Sequence, residues 1–243
     1  MEQEKQKIRL NKLTLQIIAM ITMLIDHMGI VFFPELPLLR IIGRLAFPIF
    51  AFFIAEGCER THHFPRYICR MALFAVLSEV PYDLAHGSWW APEEQNVLWT
   101  FLLAMLCIYV WKKLSTRRET AVGIALSVLA AAAAFALGEL LHTDYGGFGV
   151  LVVLLFWVCR DQPWRHSGEL LGQGLIYFRL TAIELVETGT LVMPLQGFAV
   201  FAMPFLWLYD GTQGPHNKVI QYVCYAFYPV HLAVIGILAL YVL

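Results

Sequence analysis

The sequence predicts an all-α, polytopic integral membrane protein with about nine transmembrane helices. Three observations predict this fold class. Of the 243 residues, 59% are hydrophobic and 14% are charged, whereas a soluble domain carries about 25% charged residues. The mean hydropathy is +0.66. Apolar runs of membrane-spanning length recur along the chain, and no hydrophilic stretch between them is long enough for a separate folded domain, so residues 1–243 are predicted to form one domain.

The first apolar run covers residues 13–33 and is long enough to cross about 30 Å of hydrocarbon. It follows basic residues, as the core of a signal peptide does. However, it contains Asp26 and His27 and lacks a small-residue cleavage site, so we interpret it as a membrane helix. Turns rich in proline and glycine separate the later runs. The predicted helices lie near residues 13–33, 38–58, 66–86, 97–111, 121–141, 146–159, 169–187, 191–209 and 219–242.

Basic residues occur in alternate connections, and this pattern predicts the orientation because Lys and Arg in short loops are retained in the cytoplasm. The connections PELP, DLAHGSWWAPEEQN, LLHTDYGG and VETGT contain no Lys or Arg. We therefore expect a protein of the inner (plasma) membrane with a cytoplasmic N-terminus. The basic residues on the predicted inner side are Lys5, Lys7, Arg9, Lys12, Arg60, Arg66, Arg70, Lys112, Lys113, Arg117, Arg118, Arg160, Arg165 and Lys218.

Charge and cysteine content exclude several other classes of protein. The net charge of −1 and the lack of basic clusters interleaved with aromatic residues argue against nucleic-acid binding. Five cysteines, an odd number with no CxxC pair, predict neither a disulfide framework nor a metal site. All five fall in the predicted cytoplasmic half, where thiols stay reduced.

Ionisable residues lie at a similar depth in five of the predicted spans. Charges within hydrocarbon are rare and commonly mark functional sites, so we expect these groups to converge on an internal cavity. At a rise of 1.5 Å per residue, His27 lies about 20 Å from the inner surface. The alternative is that they are ion pairs that join helices, Asp26 with Arg44 or Glu184 with Arg179. The layer comprises Asp26, His27, Arg44, Glu79, Arg179, Glu184 and His231.

His27 is the strongest candidate for chemistry in this layer, because a neutral imidazole can accept a proton near pH 7 and return it. Asp26 is its neighbour in sequence, but adjacent residues of a helix do not face each other. We therefore expect the carboxylate that orients His27 to come from Glu79 or Glu184.

Two further segments supply candidate substrate contacts. In FYPVH, Pro229 removes a backbone donor within a predicted span, and Tyr228 and His231 lie beside this distortion. Helix packing is the alternative role for His231. Asp144 and Tyr145 lie at the predicted outer side, where Asp144 either caps the following helix or faces an extracytoplasmic substrate.

Several stretches of sequence together carry a family resemblance. The most specific are MLIDHMGIVFF and LLRIIGRLAFPIFAFFIAEGCERT, and AVLSEVPYDL, NVLWT, DYGGFGVL and FYPVH follow in order. On these residues the chain resembles the TraX family, whose members resemble the conjugative F-pilin acetylase. The family is similar to a wider group of transmembrane acyltransferases that includes acyltransferase family 3 and the lysosomal heparan glucosaminide N-acetyltransferase.

The resemblance implies a membrane acetyltransferase domain that moves an acetyl group from cytosolic acetyl-CoA to an amine or hydroxyl. The acceptor would be a membrane or extracytoplasmic protein or glycan, such as a pilin-like N-terminus, and the lipid bilayer is the other expected partner. The family's intramembrane histidine corresponds to His27 and its companion acid to Asp26. Its GR-FP motif corresponds to Gly43, Arg44, Phe47 and Pro48.

This implied activity leads to a hypothesis for the mechanism. His27 acts as general base on the acceptor, and Arg44 or Arg179 stabilises the oxyanion of the tetrahedral intermediate. Direct transfer needs one base and is preferred, with an acetyl-histidine intermediate as the alternative. The carboxylates expected to hold these groups are Asp26, Glu79 and Glu184.

Acetyl-CoA is cytosolic whereas His27 lies in the outer half of its span, so a tunnel is expected. The pantetheine arm, about 20 Å long when extended, would reach up this tunnel while basic residues bind the phosphates. The acceptor would enter past Asp144 and Tyr145. The expected phosphate-binding residues are Arg60, Arg66, Arg70 and Lys112.

Two rival functions belong to different classes. A proton-coupled transporter also places Asp, Glu and His near the midplane, although this chain has no evident internal repeat. The other rival is a membrane-embedded assembly factor that performs no chemistry.

Overall fold

The computed structural model describes residues 9–114, 120–188 and 194–242, and this part of the chain is helical. The β-type pairing within this part of the chain consists of two isolated bridges, Leu10 with Tyr209 and Gln95 with Thr143. The all-α prediction is therefore confirmed. The helices are α1 (Lys12–Val31), α2 (Pro37–Gly43), α3 (Ala46–Arg60), α4 (Phe64–Ala85), α5 (Val97–Lys113), α6 (Ala121–Leu140), α7 (Gly146–Cys159), α8 (Arg165–Thr188), a 3₁₀ helix (Leu195–Ala202), α9 (Met203–Trp207) and α10 (Lys218–Val242).

Four helical stretches of the described chain are long and apolar enough to cross a membrane: α1, Pro37–Arg60, α6 and α10. Shorter apolar helices are α7 and Leu195–Trp207. The chain is therefore a membrane protein, and the total of nine spans stays a prediction. Residues 191–193 of the predicted span 191–209 lie outside the described residues. So do residues 1–8 of the predicted inner N-terminus and residues 115–119 of a predicted inner connection.

Side-chain caps fix the beginnings of three helices. The backbone N–H of Thr14 donates to Asn11 Oδ1 over 2.9 Å, and that of Leu98 donates to Asn96 Oδ1 over 3.0 Å. Thr120 accepts in the same way from Gly123. Such caps satisfy backbone donors that have no partner within the helix, which explains why α1, α5 and α6 begin where they do.

The predicted helix 38–58 matches the apolar stretch Pro37–Arg60, which a break at Arg44 and Leu45 divides into α2 and α3. Pro48 lies in the first turn of α3, where its missing N–H leaves no helical bond unmade. A continuous helix would require a donor at this position. The break places Arg44 at the C-cap of α2, beside α1.

The apolar core lies between α3, α5 and α7, while α6 buries few of its residues. Helices α4 and α10 cross closely at Gly236, where an added Cβ would lie 2.7 Å from Leu84. This crossing brings α10 to the side of α1 on which His27 lies. Fully buried core residues include Ile49, Ala51, Ala104, Met105, Ile108, Val150, Val152 and Val153.

Candidate functional site

Two histidines from distant parts of the chain form the centre of the candidate site. Nδ1 of His27 on α1 lies 2.8 Å from Nε2 of His231 on α10, and Nδ1 of His231 lies 2.7 Å from the carbonyl oxygen of Phe227. A carbonyl oxygen only accepts, so Nδ1 of His231 carries a proton and its Nε2 accepts one from His27. This chain of bonds leaves Nε2 of His27 with a free lone pair.

The partner that orients His27 is therefore His231, and the expectation of a carboxylate from Glu79 or Glu184 was wrong. Glu79 accepts instead from the indole N–H of Trp99 and, over 2.5 Å, from the amide of Asn96. It thereby joins α4 to the start of α5. Glu184 lies partly buried on α8.

An ion pair lies next to the histidine pair. Oδ2 of Asp26 accepts from Arg44 and, over 3.0 Å, from Arg40. Nη1 of Arg44 also donates to Oε1 of Gln196 over 3.1 Å. Gly43 permits the close approach of α2 to Asp26, since a Cβ at Gly43 would lie 2.2 Å from Cβ of Asp26. The ion pair between Asp26 and Arg44, foreseen as the alternative to a catalytic role, is present.

The turn before α7 packs against this ion pair. The ring of Tyr145 stacks on Phe47 with centroids 3.8 Å apart, and its hydroxyl lies 3.5 Å from Oε1 of Gln196. Tyr145 has a φ of 64°, which is uncommon for a residue other than glycine. Packing from neighbouring elements therefore holds this strained turn in place.

Asp144 lies in the same turn, and the positive charge of Arg44 favours the ionised form of its carboxyl. The N-cap residue of α7 is Tyr145, so the capping role considered for Asp144 is wrong. Its backbone N–H donates to the carbonyl of Gln95 over 2.8 Å, and its carbonyl accepts from the hydroxyl of Thr100. Burial raises the pKa of the Asp144 carboxyl to about 6, so it titrates near neutral pH.

Arg179 lies apart from the histidine pair, in a salt bridge to Glu139. Its Nη2 is 3.0 Å from Oε2 of Glu139, whose other oxygen accepts from the N–H of Gly147 over 2.8 Å. A polar cavity of about 590 Å³ opens beside this bridge. The polar cavity is lined by Tyr82, Glu93, Glu94, Gly138, Glu139, His142, Thr143, Asp144, Gly146 and Arg179.

A second cavity, of about 210 Å³ and mostly apolar in its lining, runs between α1, α3, α4 and α10. We call it the long cavity. Its lining on α1 extends from Lys12 to Met23, a rise of about 16 Å at 1.5 Å per residue. Its far end includes Tyr228, whose ring centroid lies 5.7 Å from that of His231. The long cavity therefore ends about one helical turn from His27.

The residues expected to bind the cofactor lie in different surroundings. Arg70 lines the long cavity. Arg60 binds Glu56 over 3.0 Å and the carbonyl of Gly211 over 2.9 Å, away from the cavity lining. Arg66 is exposed at the start of α4 and also lies outside that lining.

Sequence reasoning left several residues of this region without a role in the site. Arg40 precedes Arg44 by four residues, which places both on one helix face, and this spacing was a usable signal. His86 follows α4, and its Nδ1 lies 2.8 Å from the carbonyl of Tyr82. No periodicity marks a histidine in a loop. The other residues left without a role are Lys12, Glu139, Gln196 and His216.

Comparisons with known proteins agree over most of the chain. Residues 11–239 match the family model described as TraX protein. The chain is 27% identical to the probable fimbrial assembly protein FimC, serogroup H1, of Dichelobacter nodosus, over 91% of this chain and 92% of that protein. It is 27% identical to protein TraX of Escherichia coli, over 92% of this chain and 85% of that protein. No solved structure matches.

Proposed function

The chain belongs to the TraX family, and from this premise we propose that it is an integral membrane acetyltransferase. It would move an acetyl group from acetyl-CoA to an amine or hydroxyl of a membrane or extracytoplasmic acceptor. The name of the Dichelobacter relative, a probable fimbrial assembly protein, favours a pilin-like acceptor over a glycan. The observation that carries the proposal is the free Nε2 of His27, whose ring is held by His231 about one helical turn beyond the end of the long cavity.

The bonds of the histidine pair support a role for His27 as general base. Because Nδ1 of His27 donates to His231, Nε2 is the atom available to take a proton from the acceptor. The acceptor's nitrogen or oxygen attacks the thioester carbonyl as this proton moves to Nε2. When the tetrahedral intermediate collapses, the carbon–sulfur bond breaks and the thiolate leaves with the proton that His27 returns. In this direct transfer the acetyl group passes to the acceptor and the proton passes to the thiolate, so no further reactant is needed.

Arg44 is better placed than Arg179 to stabilise the developing oxyanion. Arg44 binds Asp26, the neighbour of His27 in sequence, whereas Arg179 is bound to Glu139 in the polar cavity. Arg44 is fixed by Asp26 and Gln196, so its charge is oriented before the reaction. We assign Arg179 to the acceptor side instead.

The two cavities suggest separate routes for the two substrates. With a cytoplasmic N-terminus, the end of the long cavity at Lys12 faces the cytosol, and the polar cavity with Asp144 faces outward. From Lys12 to His27 the rise along α1 is about 22 Å. An extended pantetheine arm of about 20 Å comes within about 2 Å of this distance.

The proposal is tested by incubating purified protein with acetyl-CoA and cell envelopes while free thiol and acetylated envelope material are measured. We expect both products from the wild type and neither from His27→Ala, which removes a neutral ring and leaves no unpaired charge. His62→Ala, in an exposed loop, is the matched control and should keep activity. Wild-type protein that releases no thiol but couples solute uptake to a proton gradient would identify a transporter instead.

A further inference from the structure

One end of the long cavity is cationic. Lys12 at the start of α1, Arg70 on α4 and His216 before α10 line it together with the amides of Gln213 and Gln221. Asp and Glu are absent from the described residues of its lining. Donors from three separate elements therefore converge on one opening without an acid among them.

Lys12 and Arg70 differ from Arg60 and Lys112 in their charge partners. Within the described chain neither forms a salt bridge, whereas Arg60 and Lys112 do. The Lys12 ammonium lies 5.5 Å from the centroid of Phe53. Within the part of the chain that the structure describes, no acid therefore takes up the charge-assisted hydrogen bonds of Lys12.

Arg70 packs its guanidinium near two aromatic rings, 5.9 Å from the centroid of Tyr67 and 5.4 Å from that of Tyr225. Such rings hold the plane of the guanidinium while its N–H groups remain available. The described carboxylate whose charge acts on Lys12 is Glu56, and its oxygens are bound by Arg60 and by Tyr209, the latter over 3.1 Å.

From these observations we propose that Lys12, Arg70 and His216 form a phosphate site at the mouth of the long cavity. The site binds the phosphate groups of a nucleotide-bearing thioester, whose uncharged arm then lies along the apolar lining toward His27. Arginine supplies a planar pair of donors and lysine a point charge, a combination suited to phosphate. This inference rests on the proposed acetyl transfer and replaces Arg60 and Arg66 as the expected phosphate ligands.

The test compares two donors in nanodiscs of phosphatidylcholine, acetyl-CoA and acetyl-pantetheine, which lacks phosphate. Lys12→Gln and Arg70→Gln should each raise KM for acetyl-CoA about tenfold, because each variant loses a charge-assisted bond to phosphate. Both should leave KM for acetyl-pantetheine unchanged. Arg66→Gln, an exposed arginine one turn from Arg70, is the matched control and should change neither value. Calorimetric binding of CoA gives a readout without catalysis and should weaken about tenfold in the two variants.

Four results would overturn the site. These are an equal rise in KM for both donors, an effect of Arg66→Gln as large as that of Arg70→Gln, CoA binding that is unchanged in the variants, or an effect seen only in discs with phosphatidylglycerol. The last result would identify a lipid headgroup as the source of phosphate. If wild-type protein binds CoA but transfers no acetyl group, the proposed function fails while the phosphate site stands.

Discussion

Replacing Arg44 with alanine tests whether the ion pair to Asp26 holds the site together. The side chains are mostly buried, with exposed fractions of 13% for Arg44 and 12% for Asp26. Breaking a buried pair by removing one partner costs about 3–5 kcal/mol. Arg40 still donates to Asp26 over 3.0 Å, which favours the lower end, but Gln196 loses the closer of its two donors, at about 1–3 kcal/mol. We therefore expect a loss of about 3–5 kcal/mol in the free energy of unfolding.

Reversible unfolding in mixed detergent micelles measures this loss. Arg40→Ala is the matched control and should cost less than Arg44→Ala, because its side chain is 28% exposed. Asp26→Asn combined with Arg44→Ala should recover part of the loss, since the buried carboxylate is then neutral and the remaining charge, Arg40, is 28% exposed. The reasoning is refuted if Arg44→Ala unfolds like the wild type, or if Arg40→Ala costs as much.

Three other predictions follow from the same contacts. Gly43→Ala places a Cβ 2.2 Å from Asp26 and should destabilise by about 1–3 kcal/mol, measured by the same unfolding; wild-type stability would contradict the close approach. His231→Ala should lower kcat about 10- to 100-fold by releasing the ring that it orients, with partial recovery in His231→Gln; an unchanged kcat would contradict it. A reporter fused after Leu114 should be active only in a cytoplasmic format, and one at Trp90 only in an extracytoplasmic format; the reverse at either position would overturn the orientation.

The sequence predicted the helices well where hydropathy and capping agree. Helix α7 spans 146–159 as predicted, and α5 and α6 differ by at most two residues at their ends. These helices begin after turn residues such as Asn96 and Thr120 and contain no internal proline. Local chemistry alone determines such limits.

The partners of the buried charges were harder to predict, because counting residues gives depth but not direction around the helix axis. Glu79 and Arg179 were assigned to one layer with His27, yet they bind Trp99 and Glu139. These pairings depend on how each helix is rotated in the packed structure, which the sequence of one chain does not specify.

The histidine pair illustrates the same limit. His27 and His231 are 204 positions apart, and hydropathy places them at similar depth without bringing them together. The crossing of α4 and α10 at Gly236 sets the position of His231. Such a contact is a property of the assembled fold.

The central claim, that His27 is the base in acetyl transfer, is tested most directly by rescue with a small base. The measurement is the rate of acceptor-dependent thiol release from acetyl-CoA by purified His27→Ala, with and without added imidazole. We predict a rate about 100-fold or more below wild type that rises with imidazole concentration. A wild-type rate in His27→Ala without imidazole would contradict the claim.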